Sequence, residues 1–150
     1  MSIDINIALS PAEQHRVLAC FSALFPLRNR EKTEHEVATL AQTRLQWEST
    51  SIDLFFADIP FHESIAQRTR DVAYIGTRLP IISAEDLIVL KVAFNRPQDW
   101  IDIEHMFQIQ QQALDTEYIR RWLAEFYQQP DDLPRQKVEA LIHDYQPGRG

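Results

Sequence analysis

The stretch Ile81–Phe107, IISAEDLIVLKVAFNRPQDWIDIEHMF, decides how the chain is read. Ser83 stands at a helix N-cap with Asp86 three residues on, a pairing that satisfies free N–H groups in a first turn. Leu87, Leu90 and Phe94 recur at helical spacing, and Ile88 and Val92 widen that stripe. Lys91 falls beside it, a cation among aliphatics. Asn95-Arg96-Pro97 ends the run, because Pro97 disfavours helix at Arg96 yet suits the first turn of a new helix. That second helix buries Trp100, Ile103 and Phe107 and leaves Asp99 and Asp102 off its apolar face. Arg96 and Asp99 are expected to pair at the junction.

Upstream, Ile3, Ile5 and Ile7 alternate with Ser2, Asp4 and Asn6, the period of a strand with one apolar face. Ser10-Pro11-Ala12-Glu13 has the form of a capping box with proline at the first helical position, and Val17, Leu18, Phe21 and Leu24 form the buried face that follows. A short helix is expected over Thr33–Leu40. Arg44–Glu48 and Ser51–Phe56 read as a hairpin around Ser49-Thr50, with Ile52, Leu54 and Phe56 on one side and Asp53 on the other. Pro60–Arg70 reads as a helix, and Val72–Ile75 with Arg78–Ile82 as a second hairpin around Gly76-Thr77.

Downstream, Asp115 caps a helix carrying Ile119, Trp122, Leu123 and Phe126. A last helix spans Asp131–Tyr145 with Val138, Leu141 and Ile142 inward. Pro147–Gly150 reads as a frayed tail. The pattern is an α/β (α+β) fold in one domain over 1–150. Residues 1–82 form a mixed sheet with helices, and 83–145 a helical portion.

Composition narrows the function classes. The chain has 150 residues, 45% of them hydrophobic and 25% charged, which suits a globular domain. Its net charge is −7, so nucleic-acid binding is not supported by the whole surface and would need a local basic patch. One cysteine, Cys20, excludes an internal disulfide and points to a reducing cytoplasm. No apolar run has the length of a membrane span. The histidines are scattered and form no metal-ligand spacing with Cys20, and His62 reads as a surface residue. Trp47, Trp100 and Trp122 read as core or interface residues.

The order S-x-E-D-L-x-x-x-K, from Ser83 to Lys91, followed by R-P-x-D-x-x-D-I from Arg96, resembles the end of a known catalytic domain. With Ser51–Phe56 and Pro60-Phe61-His62 ahead of it, the likeness spans roughly residues 2–107. It is to small bacterial nucleotidyltransferases of the DNA polymerase beta-like superfamily. In that family an Asp-x-Asp on one strand and a third Asp on its neighbour hold divalent metals, and a Gly-Ser turn cradles the phosphates. By that resemblance Asp4 matches the second carboxylate and Asp53 the third, which implies catalytic and metal-binding roles for both. Lys91 is implied to steady the triphosphate. Ser2 stands where the first carboxylate belongs, and Gly76, Gly148 and Gly150 all lie downstream of the expected turn.

The resemblance implies Mg²⁺ as cofactor and a nucleoside triphosphate as substrate, with transfer of a nucleoside monophosphate to an acceptor. Two other readings stand beside it. One is a catalytically silent binding module that regulates a protein partner in a toxin–antitoxin-like pair, or forms a homo-oligomer. The other is a nucleotide sensor that binds without turnover.

Overall fold

The structure, a computed structural model, describes residues 2–146, so the expected tail at Pro147–Gly150 lies outside the described residues. The fold is mixed α+β. It divides into two compact units, Met1–Gln67 and Arg68–Gly150.

The first unit is built on β1 (Ser2–Ile7), β2 (Gln42–Trp47) and β3 (Thr50–Phe56), in the order β1-β3-β2. β1 runs parallel to β3, and β2 runs antiparallel to it. A parallel neighbour requires a long crossover. Helices α1 (Gln14–Leu24) and α2 (Arg30–Leu40) supply it before the chain turns back through β2. The sheet's apolar face gives Leu45, Ile52, Leu54 and Phe56 to a core with Val17 and Val37. Each such side chain contributes roughly 1.5–3 kcal/mol on burial. Helix α3 (Pro60–Arg68) follows β3.

Local details depart from the sequence pattern for physical reasons. Ser10 makes no side-chain capping bond; its carbonyl instead accepts from the Glu13 amide at 2.9 Å, opening a 3₁₀ turn over Pro11–Glu13. The Glu13 carboxylate turns away to Arg16 at 2.8 Å, so the expected capping box is absent. Helix α2 begins three residues earlier than expected, because the Asn29 side chain accepts from the Lys32 amide at 2.9 Å and so caps it.

In the second unit, β4 (Arg70–Tyr74) and β5 (Thr77–Ile81) form a separate two-stranded sheet and do not extend the main one. Their turn holds Ile75 and Gly76 at φ 43° and 76°, the left-handed pair of a type I′ hairpin. Four helices complete the unit: α4 (Ala84–Phe94), α5 (Pro97–Gln110), α6 (Thr116–Phe126) and α7 (Leu133–Tyr145). Ser83 caps α4 as expected, accepting from the Asp86 amide at 3.1 Å, and Asp115 caps α6 through the Tyr118 amide at 3.0 Å. The core gathers Ile88, Val89, Val92, Ile103, Phe107, Ile119, Leu123, Val138 and Ile142.

The buried face of α4 is not the expected Leu87–Leu90–Phe94 stripe. Phe94 is 45% exposed, and Ile88, Val89 and Val92 point inward. Leu87 to Val92 is apolar on nearly every side, so periodicity does not select a face. The polar anchors beneath it do. Asp86 is fully buried, and its carboxylate accepts from Ser83 Oγ at 2.5 Å and from the Tyr118 hydroxyl. Beside it, Glu85 accepts from the Asp115 amide at 3.1 Å. Arg68 lies within 3.5 Å of both carboxylates, its guanidinium 3.8 Å from the centre of the Tyr118 ring.

Candidate functional site

The alternation in β1 and β3 decides where their carboxylates stand. In-register pairing of the parallel strands sets Ile3 beside Ile52, Asp4 beside Asp53 and Ile5 beside Leu54. Register partners on parallel strands project to the same side, with neighbouring backbones about 4.8 Å apart. The isoleucine and leucine positions take the core side, so Asp4 and Asp53 share the polar side. Asp4 is exposed and Asp53 half-buried. The two residues the sequence singled out as a pair are therefore neighbours on one face.

Arg44 extends that row across the sheet. It is the antiparallel partner of Asp53. Its Nε donates to Asp53 Oδ1 at 2.6 Å and its terminal nitrogen to Oδ2 at 2.9 Å, a two-pronged fork. Hydrogen bonding to Asp53, with the field of Asp53 and Asp4 added, raises the Arg44 guanidinium above its ordinary range. The Asp53 side chain is 16% exposed and that of Arg44 69%. The anion is thus held in place by a cation that remains free to swing into water.

Sequence reasoning missed Arg44. A turn centred on Ser49-Thr50 would set Asp53 opposite Gln46. The chain turns at Glu48-Ser49 instead, with Glu48 at φ 50°, and the pairing slides by two residues. The positive φ at Glu48 carries no glycine or asparagine signal that would mark it in advance.

The donor set suits a hard cation. A carboxylate offers about four lone-pair sites, and the Arg44 fork uses two of those on Asp53. Asp4 adds a second carboxylate on the next strand, and Mg²⁺ is commonly held by one or two carboxylates together with phosphate oxygens. Among the described residues no group of three or more His, Cys, Asp or Glu side chains could hold a metal ion. Two carboxylates alone do not close a protein cage round an ion.

Lys91 lies in the second unit, on α4. Its Nζ is 2.7 Å from Asp102 Oδ2 and 3.3 Å from Asp99 Oδ1, so the ammonium ties α4 to α5. Asp99, expected off the buried face, is 1% exposed. It tolerates burial because donors surround it: the Arg96 amide at 3.1 Å, Arg96 Nε at 2.7 Å, the Arg96 terminal nitrogen at 2.9 Å, and Lys91. Those bonds, Arg96's first, outweigh the cost of burial and hold the Asp99 carboxyl down at about 2. Asp102 is also lowered, chiefly by its bond to Lys91. The expected pairing of Arg96 with Asp99 is present, and its two-point geometry fixes the α4–α5 junction.

Compared with known proteins, the sequence matches no family model and no curated protein. Among the described residues no helix is long and apolar enough to cross a membrane.

Proposed function

We propose that this chain is a nucleotidyltransferase-like module that binds a nucleoside triphosphate through one Mg²⁺ held by Asp4 and Asp53. One observation supports the reading above the others: the in-register pairing of β1 with β3, which sets the two carboxylates side by side on the polar face. When bound, the ion supplies charge neutralisation for the phosphates. The chain's own residues position it. Asp53 is pre-oriented by Arg44, and Asp4 stands beside it in water.

Arg44 has a second part in this reading. Its guanidinium matches a phosphate's geometry as well as a carboxylate's. Contact with the incoming triphosphate draws the fork off Asp53 and takes that competing cation away from the carboxylate.

Ser2 at the position of the family's first carboxylate favours binding over turnover. Transfer of a nucleoside monophosphate, with an acceptor oxygen bonding to the α-phosphorus as pyrophosphate leaves, relies on more carboxylate charge than two aspartates supply. The chain works in this account as a sensor or regulatory module. A partner-binding role is favoured by the second unit, where Val72, Tyr74, Leu79 and Ile81 are 40–58% exposed and register pairing sets them on one face of the β4–β5 hairpin.

Calorimetric titration with Mg²⁺ and each of ATP, CTP, GTP and UTP tests the reading. Saturable binding that needs the cation and is lost in Asp53→Asn supports it. Binding indifferent to that substitution removes Asp53 from the site. Release of labelled pyrophosphate in the same samples would move the assignment from sensor to enzyme.

A further inference from the structure

A cleft of about 300 Å³ runs along the outer edge of β2, enclosed by the α1–α2 connection, the first turns of α2 and Arg44–Gln46. That volume is at the small end for ligand sites and fits a molecule no larger than a mononucleotide. Its charge runs against the chain's average. The sequence has 22 acidic residues to 15 basic, yet the cleft is lined by Arg28, Lys32 and Arg44 against the single carboxylate of Glu36.

Glu36 is already engaged. It accepts from Thr43 Oγ1 at 2.7 Å and lies 3.5 Å from Lys32. Arg28 is exposed and has no acidic partner among the described residues. Helix α2 starts at the cleft under the Asn29 cap, so its dipole adds positive field there.

Phe25, Leu27 and Leu45 give the lining an apolar part. The Phe25 ring stacks on the Trp47 indole, 6.3 Å between centres and 15° from parallel, and Trp47 is 50% exposed. Phe25 lines the cleft, and the half-exposed indole stacked on it lies just outside that lining, next in the chain to Gln46, so the two rings offer a planar ligand a stacking surface at the cleft's edge.

We infer that this cleft binds a nucleoside monophosphate unit, with the phosphate on Arg28 and Lys32 and the base against the Phe25–Trp47 step. The unit can come from a free mononucleotide or from the phosphorylated end of a single strand. Charge and shape are the same in both. This site is separate from the Asp4–Asp53 pair and needs no divalent cation. Arg44 borders both, through its fork to Asp53 and its place in the cleft wall.

The test uses the full chain in EDTA, titrated calorimetrically with AMP, CMP, GMP and UMP, with inorganic phosphate, with adenosine, and with a short 5′-phosphorylated oligonucleotide. Saturable binding of a monophosphate is expected, weakened at least about tenfold in Arg28→Ala/Lys32→Ala and in Trp47→Ala. Both variants change exposed side chains, and matching thermal melts check that they fold. Asp4→Asn is expected to leave this binding unchanged, although it weakens the Mg²⁺-dependent site, so the two assignments fail separately. No saturable binding overturns the inference, as does binding that survives the double substitution, or inorganic phosphate or adenosine binding as tightly as the monophosphate. An oligonucleotide that binds more tightly than the mononucleotide supports the strand end as the ligand. One that binds equally or less tightly supports the free nucleotide.

Discussion

Asp99→Asn is the substitution whose size follows most directly from the geometry. The side chain is 1% exposed and its carboxyl is held at about 2, against an ordinary aspartate near 3.9. A gap of nearly two units corresponds to roughly 2–3 kcal/mol of stabilisation at neutral pH. The variant keeps the shape and an acceptor for the Arg96 amide but loses the charge that gathers Arg96 and Lys91. The expected loss at pH 7 is about 2 kcal/mol, or roughly 4–8 °C in melting temperature for a chain of this size.

The sign of the pH dependence follows from the lowered value. The stabilisation is complete above pH ~4, where an unfolded aspartate is ionised, and fades as pH falls toward 2 and the folded carboxylate takes up its proton. Urea unfolding of both proteins at pH 7 and pH 2 measures the gap. A difference below about 0.5 kcal/mol at pH 7, or one that is the same at both pH values, would show that the charge on Asp99 does not stabilise the junction.

Three other perturbations have defined outcomes. Tyr118→Phe removes the hydroxyl that donates to the fully buried Asp86 and should cost about 1–3 kcal/mol in urea unfolding. Ile75→Asn relieves a β-branched residue from φ 43° at an 85% exposed turn position, and should stabilise the chain by about 1 kcal/mol; a loss would show that the turn is unstrained. Arg44→Ala removes the guanidinium fork and a neighbouring positive charge from Asp53, so Mg²⁺ alone should bind severalfold more tightly by calorimetry. Unchanged affinity would mean that the fork does not compete with the cation.

The mixed fold was legible because its signals are local. Alternation at Ile3, Ile5 and Ile7 marked β1, and the Asn95-Arg96-Pro97 break separated α4 from α5. The pairing of Asp4 with Asp53 was also within reach, since the polar residues of both strands had one free face to occupy. Three things were not legible. The face of α4 was hidden because its apolar residues surround the helix, and the choice rests on Asp86 meeting Tyr118 from α6, a contact 32 residues away in sequence. Helical patterning sends Asp99 to water with other carboxylates, whereas four hydrogen-bond donors make its burial tolerable. Arg44 was missed through a one-residue error in the turn, and in a strand a small shift in the turn re-pairs every side chain.

We propose that Asp4 and Asp53 together hold one cation for a bound nucleoside triphosphate. The most direct test is a calorimetric titration of a Mg²⁺–nucleoside triphosphate into the wild-type chain, Asp4→Asn and Asp53→Asn. One Mg²⁺-dependent site per chain is expected in the wild type, absent in EDTA and at least about tenfold weaker in each variant, a loss of about 1.4 kcal/mol or more. Equal affinity in all three proteins would contradict the proposal.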